Sequence, residues 1–198
     1  MPNKSLELDT LHASWEQLKA AAPPPHSGRG SVLALGPMNA NVQLPIHAFA
    51  KLAREFCDWC ESESLGPRPN RMAASWLALL YAAALEIPEV ELENYDTELE
   101  PAIEEVPQVK PNFAGFWGQN YRQIFDPRLD GDELPVVGDL GDDLSGVYAD
   151  IKSSLQLYDR GSVLEAAWQW RFDHETHWGH HAVGALFGIH HLSVSGLG

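Results

Sequence analysis

Apolar residues recur with the spacing of one helix face between Leu140 and Tyr158, and this pattern constrains the fold more than any other feature. They occupy positions i, i+4, i+7, i+8, i+11, i+15 and i+18 of the stretch. Asp139 is well placed to cap such a helix, and Asp142 falls in its first turn, where the helix dipole favours negative charge. Gly161 supplies a left-handed stop. The sequence therefore predicts a long amphipathic helix here.

A second long helix is predicted to follow directly. Ser162 and Glu165 form a capping-box signature, and the helical pattern then runs from Val163 to about His191. A short turn between two long helices favours an antiparallel pair.

Further segments with helical character precede this pair. One begins at Pro45, a favoured first-turn residue, and closes at Gly66. An almost wholly apolar one runs from about Asn70 to Ile87 and should be central, and a short one runs from about Phe113 to Ile124. Because no stretch alternates convincingly with period two, we predict an all-α protein, a compact bundle of four to five helices.

The chain is expected to divide into an N-terminal arm, a helical domain and a tail. Residues 1–44 form the arm and a flexible linker, residues 45–192 the domain, and residues 193–198 the tail. Within the arm, an amphipathic helix is marked by Leu8, Leu11, Trp15 and Leu18.

An acidic, proline-rich loop is predicted between the second and third helices of the domain. From Glu86 to Glu105 the chain carries nine acidic residues and no Lys or Arg. This segment is either a solvated loop or a docking strip for a basic partner or a cation.

The charge and targeting features limit the partners. With 13 Lys+Arg against 28 Asp+Glu, the net charge of −15 repels nucleic-acid phosphates and anionic lipids, so neither nucleic acid nor membrane is an expected partner. The N-terminus lacks the apolar core of a secretory signal, and the run Met72–Leu85 is shorter than the ~20 residues of a membrane span. We therefore expect a cytoplasmic protein. Cys57 and Cys60 lie late in a helix with no second C-x-x-C, which favours buried free thiols.

Two stripes on the last helix contain the candidate site residues. The first places Arg171 and Glu175 between Trp168 and Trp178. They form either an ion pair, with the guanidinium stacked on an indole, or a pocket in which Arg171 binds an anionic ligand.

The second stripe carries His174, His177 and His181, whose spacing of i, i+3 and i+7 can converge on a divalent metal ion. A carboxylate would have to complete the site, and the candidates are Asp142, Asp143, Asp173 and Asp126. The alternative is a half-buried polar seam. Because the segment is not H-E-x-x-H, metalloprotease chemistry is unsupported.

Several motifs resemble a bacterial domain-of-unknown-function family, number 5063. They are L-x-D-D-L from Leu140 to Leu144, W-x-W-R-F-x-x-E-x-H-W-G-x-H from Trp168 to His181, F-x-x-x-A-x-x-F-C from Phe49 to Cys57, and Y-R-x-x-F-D-P from Tyr121 to Pro127. The resemblance spans about residues 45–192 and implies a helical fold without an assigned activity.

Two functions are consistent with these patterns. The favoured one is a non-catalytic protein-interaction or regulatory module that acts through the arm, the acidic loop or the Trp-rich helix. A homodimer is also plausible, because Gly179, Gly184 and Gly188 could let a second helix approach. The alternative is a metal- or anion-binding bundle, conceivably a hydrolase, that uses the His stripe and Arg171.

Overall fold

A computed structural model describes residues 40–90, 92, 111–124, 128 and 134–194, and these form five helices and one two-stranded sheet. In chain order the elements are α1 (Ala40–Glu61), α2 (Pro69–Ala84), β1 (Asn120–Gln123), β2 (Val136–Asp139), α3 (Leu140–Asp159), α4 (Val163–Thr176) and α5 (Trp178–Val194). The predicted helical bundle is confirmed. The arm helix, most of the acidic segment and Asp126 lie outside the described residues.

Helix α3 packs against α1, α4 and α5 and is the centre of the bundle. Its start agrees with the sequence: Asp139 is extended, and its side chain accepts hydrogen bonds from the backbone nitrogens of Gly141 and Asp142. At the other end, Gly161 adopts a φ of 91°. The apolar face is buried at Leu140, Leu144, Val147, Ile151 and Leu155. This predicted helix is therefore confirmed.

Helix α2 is less enclosed than its apolar sequence indicates. It begins at Pro69 and ends at Ala84, short of the predicted Ile87, and it contacts α1, α4 and α5. Ala78 is exposed, so α3 rather than α2 takes the central position. None of the helices in the described ranges combines the length and apolar character needed to cross a bilayer.

Helix α1 begins at Ala40, so Pro45 lies inside the helix rather than at its start. The prediction for the two thiols is confirmed, since Cys57 and Cys60 are free and buried. Burial raises the pKa of Cys57 to about 12 and also raises the pKa of Cys60.

The prediction of a helix from Phe113 to Ile124 is wrong. A turn ends at Gly118, with a φ of 83°, and β1 follows, paired antiparallel with β2 so that Tyr121 faces Gly138. The β1 strand forms because it pairs with β2, which is too distant in sequence for a local residue pattern to indicate the pairing.

The prediction of a single last helix is also wrong, because the backbone breaks at His177, where φ is −142° and ψ is −82°. Gly179 permits the break, since a Cβ there would overlap the carbonyl oxygen of His174. The core-facing residues of α4 are Ala166, Ala167 and Trp170, whereas Trp168 is half-buried. Ser162 caps α4 in position only, as its side chain makes no capping hydrogen bond.

Candidate functional site

A buried carboxylate joins three elements at one end of the bundle. Asp143 on α3 is 4% exposed. Its Oδ2 accepts a hydrogen bond from the Tyr121 hydroxyl at 2.7 Å, and its Oδ1 lies 2.9 Å from Nδ1 of His181. Because a buried charge is costly without partners, these contacts tie β1 and α5 to α3.

Tyr121 reaches Asp143 through a space left by three glycines. A Cβ would lie 2.5 Å from its hydroxyl oxygen at Gly184, 2.6 Å from Cζ at Gly138 and 2.8 Å from Cδ1 at Gly188. Gly184 and Gly188 therefore make room for the side chain of Tyr121. Burial and the Asp143 contact together raise the pKa of Tyr121, so its hydroxyl remains a donor.

A second histidine–carboxylate pair lies beside the first. Nδ1 of His177 is 2.6 Å from Oδ2 of Asp150, and the His177 and His181 ring centroids are 4.8 Å apart. The hydrogen bond to Asp143 raises the pKa of His181, against the opposing effect of burial. Two neighbouring imidazoles are thus each held at Nδ1 by a carboxylate of α3.

His174 is separated from the other two histidines. It packs between Tyr81 and Trp178, with ring centroids 4.6 and 4.8 Å away, and burial lowers its pKa. Asp142 is exposed at the start of α3, and the Asp173 carboxylate accepts a hydrogen bond from Gln169 instead. Within the described parts of the chain, no three His, Cys, Asp or Glu side chains are grouped to hold a metal.

The residues predicted to form an anion pocket around Arg171 are also not grouped as the projection of one unbroken helix predicts. Arg171 forms an ion pair with Glu175, with Nε 3.2 Å from Oε1, and donates a hydrogen bond from Nη1 to the carbonyl oxygen of Ile87 at 3.2 Å. Trp178 is fully buried, and Trp168 stacks on Phe172 with centroids 5.0 Å apart. The two tryptophans therefore do not wall one pocket around the guanidinium.

A surface cleft of about 700 Å³ lies between β1 and the first half of α5. Its lining includes residues 121–124, Val183 and Phe187 of α5, and the polar or aromatic side chains of Tyr81, His174, Glu175 and His180. Its large apolar residues are mostly solvent-accessible: Ile124 is 50%, Val183 52% and Phe187 62% exposed. This volume and its apolar lining are typical of a ligand or peptide site.

Sequence reasoning missed the residues that organise this region. Asp150 follows Asp143 by seven positions and so shares its helix face, a signal that could have paired it with His177. Tyr121 and Ile124 carried no such signal, because the expected helix hid the strand that places them.

The comparisons agree with this architecture. The family model described as domain of unknown function DUF5063 matches residues 42–195, and the chain belongs to this family. The crystal structure of protein BF1032 from Bacteroides fragilis is similar, with a TM-score of 0.57 and 19% identity over 75% of this chain and 95% of that one. At this identity the likeness concerns the fold alone. No curated protein matches the chain.

Proposed function

We propose that this protein is a non-catalytic interaction module that binds a segment of a partner protein in the cleft between β1 and α5. The segment would carry an apolar side chain next to Lys or Arg. The proposal depends mainly on one observation: three half-exposed apolar residues line the same concave site, namely Ile124, Val183 and Phe187. Contiguous exposed apolar surface of this kind is characteristic of interaction sites.

The geometry of α5 supports an anchored side chain. Val183 and Phe187 are four residues apart, so they lie on the same helix face, and Ile124, directly after β1, lines the same cleft. An aromatic or aliphatic anchor in such a pocket supplies most of the binding energy in many interfaces.

The charges favour a basic flank on the partner. Glu175 lines the cleft with a side chain that is 58% exposed; Arg122 lines it as well, and Glu175 pairs with Arg171. The bond from Arg171 to Ile87 brings the start of the acidic segment, with exposed Glu86 and Glu89, close to Glu175. A net charge of −15 adds long-range attraction for a basic partner.

The neighbouring polar groups support a binding role rather than catalysis. Both carboxylate oxygens of Asp143 are engaged, one by Tyr121 and the other by His181. These side chains stabilise the wall of the cleft because they fix β1 and α5 on α3.

Selection from a random dodecapeptide library on the full-length chain tests this function. We expect enriched peptides to combine an aromatic or aliphatic residue with Lys or Arg, and to bind more weakly as salt concentration rises. Val183→Asp and Phe187→Asp should each weaken binding at least about ten-fold, as expected for loss of a central apolar contact.

The matched control is Val194→Asp. Val194 lies on the same helix, is 74% exposed and does not line the cleft, so this variant should bind like the parent. Circular dichroism would verify that all three variants remain folded. Enriched peptides that bind both cleft variants as tightly as the parent would exclude the cleft as the interaction site.

A further inference from the structure

We propose that His177 and His181 form a surface site for one late first-row divalent metal ion, Zn²⁺ being the reference ion, with their Nε2 atoms as ligands. Asp150 and Asp143 would hold the two rings from the opposite side. Neither histidine lines the cleft, so this inference is independent of the proposed interaction site.

The hydrogen bonds leave the nitrogen needed for metal binding. In each ring Nδ1 faces a carboxylate, at 2.6 Å for His177 and Asp150 and at 2.9 Å for His181 and Asp143. A carboxylate accepts hydrogen bonds, so Nδ1 is the donor and Nε2 is the atom left to act as a ligand. Metal-binding histidines commonly have such a carboxylate at the second nitrogen, which fixes the ring and its tautomer.

The separation of the rings is suited to a shared ion. His177 lies at the junction between α4 and α5, His181 lies in the first turn of α5, and the ring centroids are 4.8 Å apart. Two Nε2 atoms at about 2.1 Å from one ion, with a near-tetrahedral angle between them, require centroids roughly 5 Å apart. The ring separation is therefore compatible with one shared ion, which would orient the two rings, now at an interplanar angle of 79°, so that both Nε2 atoms face it.

Solvent can reach the pair. The side chain of His177 is 55% exposed and that of His181 is 25% exposed. On α3, Gly146 makes room for the His181 ring itself, because a Cβ there would lie 3.0 Å from Cδ2 and 3.2 Å from Nε2. The exposed fractions of the two side chains show that solvent reaches both rings without opening the core.

The expected ion follows from the ligand type and number. Because the described ranges hold no third His, Cys, Asp or Glu grouped with this pair, water or a group from a bound molecule would complete the coordination shell. Imidazole nitrogens favour Zn²⁺, Ni²⁺ and Cu²⁺ over Mg²⁺ and Ca²⁺.

Zinc titration of the untagged, chelator-treated full-length chain tests the site, with a chromophoric chelator as competitor. We expect one Zn²⁺ per chain, and no competition by millimolar Mg²⁺. His177→Asn and His181→Asn keep an amide donor near the position of Nδ1 but remove Nε2. Each should weaken binding at least about ten-fold, and Asp150→Asn should weaken it by about 10- to 100-fold.

His190→Asn provides the matched control, because His190 is an exposed histidine of the same helix. It should retain the parent affinity. Thermal unfolding of each variant separates loss of ligand from loss of fold, and Co²⁺ absorption reports a change in the coordination shell. Equal Zn²⁺ affinity of the parent and folded His177→Asn would overturn the proposal, as would loss of binding in His190→Asn.

Discussion

Gly184 and Tyr121 are in direct contact across the α5–β1 interface, and a Cβ at position 184 would lie 2.5 Å from the tyrosine hydroxyl oxygen. The same hydroxyl donates to the buried Asp143 at 2.7 Å. The hydrogen bond from Tyr121 on β1 to Asp143 on α3 therefore requires that position 184 on α5 has no side chain.

We expect Gly184→Ala to destabilise the protein, because the new methyl group displaces Tyr121 from Asp143. Overpacking costs about 1–3 kcal/mol, which exceeds the gain of up to about 1 kcal/mol from alanine's helix propensity. Urea unfolding measures the difference. Gly115→Ala is the control, since no atom lies within 4 Å of a Cβ there. A Gly184→Ala protein as stable as the parent would show that Tyr121 is not confined.

Tyr121→Phe should lower the free energy of unfolding by about 1–3 kcal/mol, because it deprives the buried Asp143 of a hydrogen-bond donor. Tyr158→Phe provides a comparison: its hydroxyl bonds to Nδ1 of His47 at an exposed position, so its cost should be smaller. A double-mutant cycle sharpens the test, since Gly184→Ala should cost less when the Tyr121 hydroxyl is already absent. Additive costs would contradict the contact described above.

The stabilising effect of His181 should decrease as pH rises. Its folded-state pKa is raised above the ordinary histidine value of 6.5, mainly by the hydrogen bond to Asp143. Its contribution is therefore fully present below about pH 6.5 and lost as pH increases through the raised folded value. Urea unfolding of the parent and His181→Asn in chelator, from mildly acidic to mildly basic pH, should show a shrinking difference. A difference that grows with pH would have the wrong sign.

Both thiols should be unreactive in the folded protein. Cys57 has a pKa of about 12, and the pKa of Cys60 is also raised by burial, so thiolate is scarce at neutral pH. A thiol-reactive disulfide reagent should label neither residue on the timescale on which urea-unfolded chain is labelled at both. Rapid labelling under native conditions would contradict their burial.

A helix could be predicted where the apolar residues of the sequence recur with helical spacing and also form its buried face. Asp139, the apolar face of α3 and Gly161 define that helix by local chemistry alone, and the structure has it at the same place. The error at β1 has a different origin. Tyr121 is fixed by β2, by glycines of α5 and by Asp143, all distant in sequence.

The candidate site was only partly predictable for a related reason. His177, His181 and Asp143 were identified by helical spacing, and all three meet at the α3–α5 contact. Projection of one unbroken helix also grouped His174 with them, but the break at His177 directs that side chain to Tyr81. Side chains on the two sides of a backbone break cannot be placed by projecting them around one helix axis. The close contact of Gly179 with His174 at this break leaves no trace in the hydrophobic periodicity of the sequence.

The proposed interaction site is the cleft between β1 and α5, which we expect to bind an apolar group next to a positive charge. Amide chemical shifts of the isotope-labelled full-length chain, measured with tryptamine and with indole-3-acetate, test it most directly, because the two probes share an indole and differ in charge. We expect tryptamine to shift residues 121–124 and 179–187 and to bind more tightly than the acid, with both effects lost in Phe187→Asp and retained in Val194→Asp. Shifts that map to another face, or that persist unchanged in Phe187→Asp, would contradict the account.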